Sequence, residues 1–233
     1  MTNILFAITG SDTWTLADGT KHPCGYWPEE LVAPHKVFTA AGAEITLATP
    51  GGVRPVPDEA GFTPEMNGGS AEAGQAIRDY IAAIAAEIDK VVKLEDVLPG
   101  DYDAVFIPGG HGPMEDLAVS ESFGRQLGEF VAAGKIVAAV CHGPAGLLAA
   151  RRNDGGWLFD GYRMTGFTNA EETQVGFAAR AAWLLEDELI KRGAAFESTE
   201  PWAPRVVTDR ELYTGQNPAS SEQLARAVIE ATG

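Results

Sequence analysis

The sequence is poor in cysteine, in basic residues and in long apolar runs. Cysteine occurs twice in 233 residues, at Cys24 and Cys141. Two thiols cannot build a disulfide framework, and neither a CxxC pair nor Cys/His metal-ligand spacing is present. That usage is expected of a cytoplasmic chain. Lys and Arg number 17 against 33 Asp and Glu, a net charge of −16. A nucleic-acid or anionic-membrane surface needs clustered cations, so both partner classes are excluded. No stretch approaches the ~20 apolar residues of a membrane helix. The apolar start Asn3–Thr9 lacks a basic leader and is too short for a signal-peptide core, so it predicts a buried first strand. The four histidines are His22, His35, His111 and His142. With none beyond 142, an amidotransferase whose base follows late in the chain is excluded.

What is present is ordinary globular material. Hydrophobic residues make up 45% and charged residues 21%, enough for a substantial core. The length suits one domain with an insert. Short apolar runs bounded by Gly and Pro predict strands at Ile4–Thr9, Glu44–Ala48, Ala104–Pro108 and Lys135–Val140. Later strands are expected at Ala195–Glu197, Arg205–Thr208 and Leu212–Thr214. Between them lie helical patterns at Glu30–Ala41, Phe123–Ala133, Pro144–Ala150, Thr173–Lys191 and Ser220–Thr232. The alternation implies an α/β three-layer sandwich around a mostly parallel, flavodoxin-like sheet. Two stretches depart from it. Ser11–Pro28 reads as a long polar loop. Val53–Pro99, with a helix near Ala71–Ile88, is too long for a simple crossover and reads as an inserted cap over the active site of a single domain spanning 1–233.

The chemistry concentrates where strands end. The apolar run Lys135–Val140 meets Cys141-His142-Gly143-Pro144 with no room for a loop. That is the layout of a nucleophile elbow, a sharp turn lifting a side chain above the sheet. It also sets the thiol at a helix start, where unpaired N–H groups favour thiolate. A free cysteine is more often a small buried hydrophobe, but His142 and Gly143 beside it favour the reactive reading. Pro108-Gly109-Gly110-His111-Gly112 leaves a strand in the same way. Consecutive glycines let backbone N–H groups approach an oxyanion. Glu30 opens a helix after a strand-exit loop, which brings its carboxyl to the same sheet edge. Glu29, Glu30, Glu171 and Glu172 are each ordinary solvated acids when taken singly. Trp14, Tyr26, Trp27, Phe167 and Trp202 are candidate pocket walls or core aromatics. His35 is expected at the surface, His22 in solvent, and Cys24 as an oxidisable loop thiol.

Glu30-Leu31-Val32-Ala33-Pro34, Pro108–Gly112, Ala138–Pro144 and Thr165–Glu172 together resemble the DJ-1/ThiJ/PfpI superfamily. The insert, Pro201-Trp202 and Thr214–Ser220 resemble its heat-shock-protein-31-like branch, which includes glutathione-independent glyoxalases. The resemblance implies a nucleophile at Cys141, its histidine at His142, a third triad member at Glu172 with Glu171 adjacent, and a proton-transfer carboxyl at Glu30. It further implies an oxyanion hole at Gly110 and the His142 N–H, and a pocket including Gly109, His111, Trp27 and Phe167. The expected reaction turns a small 2-oxoaldehyde such as methylglyoxal into a 2-hydroxy acid, in a homodimer without cofactor or metal. A cysteine amidase or peptidase, or a redox-sensing or holdase stress protein, are the alternatives.

Overall fold

The computed structural model describes residues 2–233. In chain order it comprises β1 (Asn3–Ala7), β2 (Thr13–Thr15), β3 (Lys21–Pro23), α1 (Pro28–Ala40) and β4 (Glu44–Thr49). The next stretch holds α2 (Ala71–Ala83), α3 (Ala85–Ile88), β5 (Val92–Lys93), β6 (Ala104–Ile107) and α4 (Gly112–Glu115). Then come α5 (Glu121–Ala132), β7 (Ile136–Val140), β8 (Arg163–Met164), α6 (Asn169–Gln174) and α7 (Leu185–Lys191). The chain closes with β9 (Ala195–Phe196), β10 (Val206–Asp209), β11 (Leu212–Gly215) and α8 (Ser221–Thr232).

The main sheet runs β10-β11-β7-β6-β1-β4-β5. Every neighbouring pair is parallel except β10 with β11. Every residue of β6 and β7 is buried, as is β1 beyond Asn3. That is why these strands read as unbroken apolar runs: helices cover both faces and leave no solvent side to alternate with. From β1 the chain moves outward to β4, whereas from β6 it moves the opposite way to β7. Right-handed crossovers therefore place α1 and α5 on opposite faces. The order reverses between β1 and β6, and the carboxyl ends there form the usual ligand crevice of an open α/β sheet.

Four expectations need correction. Ser11–Pro28 is not simply loop: β2 and β3 pair antiparallel across a Gly19 turn and bury Trp14. Thr173–Lys191 is not one helix. After α6 the chain turns at Gly176 (φ +84°), and helix resumes only at Leu185. Amphipathic spacing ran through that break because Phe177 and Ala181 still pack inward. The turn after Cys141 is a 3-10 helix over Gly143–Ala149, and the helix of the inserted stretch breaks at Ile84 into α2 and α3. The same stretch also supplies β5, the sheet's edge strand.

Candidate active site

Cys141 follows β7 directly at φ +59°, a left-handed conformation unfavourable for a residue with a side chain. Its backbone is pinned on two sides. Its N–H donates to Gly215 O (2.9 Å), and its carbonyl accepts from Phe167 N–H (2.8 Å). The sharp turn thus comes from continuing the β7–β11 ladder into residues that must then leave the sheet.

Glu30 enters from the first turn of α1 and is wholly buried. Gly109 N–H donates to its Oε2 (2.6 Å), while Oε1 has no nitrogen or oxygen partner. The Cys141 thiol lies close enough to this carboxyl for each to shift the other's titration. Burial pushes the Glu30 carboxyl well up from its ordinary range, against the pull of the thiol and the Gly109 N–H. The Cys141 thiol is likewise pushed well up, first by burial and then by Glu30, with the Gly110 N–H opposing. The ionised sulfur expected from helix-end electrostatics alone is therefore corrected. Burial of the sulfur, and then the carboxyl beside it, outweigh one short turn.

His142 Nδ1 lies 3.4 Å from Cys141 Sγ, and its Nε2–H donates to Glu172 Oε2 at 2.7 Å. The other oxygen, Glu172 Oε1, accepts from His111 Nε2–H at 3.0 Å. Burial, then the neighbouring His111, keep His142 below the usual imidazole range despite Glu172. Burial raises Glu172 too, but both histidines overcome it and hold the carboxyl far below its ordinary range. A neutral His142 donating from Nε2 leaves its Nδ1 lone pair facing the sulfur. His111, Glu172 and His142 hold ligand-type atoms within 4.8 Å of one another. Both imidazole N–H groups are already committed to the carboxylate, so the trio forms a hydrogen-bonded relay running from His111 to the thiol.

Glycine is required twice beside the sulfur. A Cβ on Gly109 would lie 2.6 Å from His142 N and 2.8 Å from Glu30 Oε2. Gly110 sits at φ +84°, and its Cβ would lie 2.3 Å from Gly25 O. With both bare, the Gly110 N–H comes near enough to the sulfur to pull its titration down.

The sulfur opens on a cavity of about 200 Å³. Drug-sized ligand pockets run to about 300–1,000 Å³, so this one suits a few heavy atoms. Of the residues expected at a pocket, Trp27, His111 and Phe167 line it, together with Gly110, Cys141 and His142. Gly109 is instead spent on Glu30 and on Trp27, whose N–H donates to Gly109 O (3.0 Å). Trp14 lies behind His111, stacked at 4.2 Å and 4°, and Tyr26 is core. Sequence reasoning missed Phe177 and Val175, concealed in the supposed long helix, and Asp58, Ala60 and Met66 from the inserted stretch. His22 is a wall rather than a solvated loop residue, its ring 4.5 Å from that of Phe177. His35 is 2% exposed, not at the surface: its Nε2–H donates to Glu87 (3.1 Å) and its Nδ1 accepts from Tyr80 (3.0 Å). Cys24 is buried beneath the hairpin, its thiol pushed up to about 12 by burial and then by Asp58, which removes it as an oxidisable loop thiol.

Comparisons with known proteins agree with this architecture. The human glutamine amidotransferase-like class 1 domain-containing protein 1 is 40% identical over 129 residues, 55% of this chain. The chain spans only 59% of that relative's length. Glyoxalase 3 of Candida albicans is 30% identical over 99% of this chain and 98% of its own. The glutathione-independent glyoxalase HSP31 of Saccharomyces cerevisiae is 30% identical over 98% and 97%. The crystal structure of glyoxalase III from Candida albicans superposes with a TM-score of 0.83 at 29% identity, covering 99% of this chain and 97% of that one. The DJ-1/PfpI family model matches residues 25–231, and the chain belongs to the DJ-1/PfpI family.

Proposed function

We propose that the protein is a glutathione-independent glyoxalase, converting methylglyoxal or a similar small 2-oxoaldehyde into a 2-hydroxy acid. The observation that carries the reading is the pairing of one buried sulfur with a buried carboxyl and a neutral imidazole, at the floor of a cavity of about 200 Å³. Full-length similarity to two glyoxalases supports the same substrate class.

The chain's residues divide the work as follows. Removal of the thiol proton to Glu30 or to His142 Nδ1 frees the sulfur to form a bond with the aldehyde carbon. The resulting oxyanion is held by the Gly110 and His142 N–H groups and takes up a proton, giving a hemithioacetal. The same two bases carry the C1 proton to C2 through an enediol, which yields a thioester of the 2-hydroxy acid. Water adds to the thioester carbonyl, the carbon–sulfur bond breaks, and the thiolate regains its proton. The net change is addition of one water, with no oxidant or reductant. Glu172 keeps His142 in the tautomer that faces the sulfur.

Residues 53–99 serve as a cap in this reading, since Asp58, Ala60 and Met66 close one side of the cavity. The small volume of the cavity disfavours a peptidase. The buried thiol, 4% exposed and pushed up by burial and Glu30, disfavours a redox sensor. A homodimer and a cytoplasmic setting belong to the proposal; light scattering tests the first. No helix among the described residues is long and apolar enough to cross a membrane. Lactate formation from methylglyoxal without glutathione tests the activity, and its absence would overturn it.

A further inference from the structure

Glu171, although adjacent to Glu172, makes no hydrogen bond to the sulfur or the relay. Fully buried, its carboxylate accepts five hydrogen bonds. Oε2 takes the N–H and hydroxyl of Thr168 (3.0 and 2.7 Å), which cap α6. Oε1 takes Trp202 N–H (2.9 Å), Asn217 Nδ2 (2.8 Å) and Gln216 Nε2 (3.2 Å). A helix cap needs only the Thr168 pair, so the other three point to a second task. Gln216 and Asn217 fasten the same loop on either side of Trp202. Thr199 N–H donates to Gln216 Oε1 (2.9 Å), and Asn217 Nδ2 donates to Ala203 O (2.9 Å).

What this network holds is unfavourable by itself. Trp202 sits at φ +66°, a left-handed conformation that bulky residues avoid and that persists where the surroundings over-determine it. Its indole N–H donates to Gln174 Oε1 (2.5 Å), and its ring meets Phe167 edge-on at 5.7 Å. Trp202 also belongs to two hollows at once: the inner cavity on the sulfur and an outer one of about 680 Å³, with Trp27, Met66, Val175 and Pro218 likewise shared. The shared boundary is the neck of the site, and Trp202 is 38% exposed there.

We propose that Trp202 is the size filter of the site, and that Glu171 is the positioning residue that holds it at the neck. The filter admits alkyl 2-oxoaldehydes and turns away aryl ones. The choice of substrates rests on the glyoxalase reading; the geometry does not.

Two measurements test it. In the first, kcat and KM are determined for methylglyoxal and phenylglyoxal. Trp202→Ala raises the phenylglyoxal-to-methylglyoxal ratio of kcat/KM at least tenfold, and Trp202→Phe restores most of the original preference. Glu171→Gln moves the ratio severalfold in the same direction, while kcat on methylglyoxal falls less than tenfold. Gln174→Ala, which loosens the indole without touching a buried charge, gives a smaller shift of the same sign. An unchanged ratio in Trp202→Ala overturns the filter. A hundredfold loss of kcat in Glu171→Gln with the ratio unmoved would place Glu171 in the chemistry instead. In the second measurement, alkylation of Cys141 by iodoacetamide and by N-phenylmaleimide is followed by peptide mass spectrometry. Trp202→Ala must accelerate the aryl reagent more than the small one, and equal acceleration overturns the filter. This arm needs no turnover, so it decides the matter even if the wild-type protein makes no lactate.

Discussion

Glu30 is a carboxyl that the fold holds against its own preference. Its folded titration lies well above that of the unfolded chain, because burial disfavours the charge. An unfolded chain therefore binds fewer protons than the folded one once the pH passes the ordinary glutamate range, and stability falls as pH rises through that window. Glu30→Gln removes this liability while keeping the shape. The variant should melt higher than wild type at pH 7–8, by about 2–4 °C for each kcal/mol regained. Its turnover should fall by about 10²–10⁴, the usual worth of a general acid–base group. Differential scanning calorimetry and kinetics on one sample check both, and lower stability with intact turnover would contradict the role. His142 and Glu172 act in the opposite sense. Both titrate below their unfolded values, so the folded chain binds fewer protons than the unfolded one as the pH drops. Stability from His142 is present above the ordinary imidazole value and is lost as the pH falls below it. The contribution of Glu172 is lost below the ordinary glutamate range. Melting temperatures of Glu172→Gln and wild type should therefore stay apart from pH 7 to 5 and converge only as the pH falls below 4.5.

Elements position these residues, and their legibility in the sequence followed from how local the physics was. Cys141, Gly109 and Gly110 were readable because an apolar strand ending in small residues leaves the backbone few alternatives. The pairing of Glu30 with the sulfur was only suggested, since it depends on α1 entering the sheet edge beside β6. Phe177 stayed concealed because apolar spacing continues past Gly176 as though the helix did. The β2–β3 hairpin, which buries Trp14 under His111, was too short and too polar to announce itself. Gly110→Ala should disable the site, because the new methyl would meet Gly25 O at 2.3 Å on a left-handed backbone. Loss of activity together with a lowered melting temperature is the expected result, and an unperturbed enzyme would contradict the close approach. Thr168→Ala should destabilise the start of α6 by about 1 kcal/mol, the typical worth of an N-cap. Calorimetry reads that loss directly.

At the scale of the molecule, the sheet order and the net charge of −16 frame the substrate. The reversal of strand order between β1 and β6 brings the exits of β6 and β7 and the start of α1 to one crevice, which is why residues 30, 109 and 141 can meet. An acidic surface repels anions and neither attracts nor repels a neutral aldehyde. Turnover of methylglyoxal should therefore change little with added salt, since screening acts only on charged encounters. Initial rates at low salt and at ~0.5 M salt test this; a steep dependence would mean that the reacting species is charged. The most direct test of the central claim is lactate formed per methylglyoxal consumed, without glutathione, by wild-type protein and by Cys141→Ser. One lactate for each aldehyde from the wild type and none from the variant is the expected result. Equal lactate from both proteins, or none from either, would contradict it.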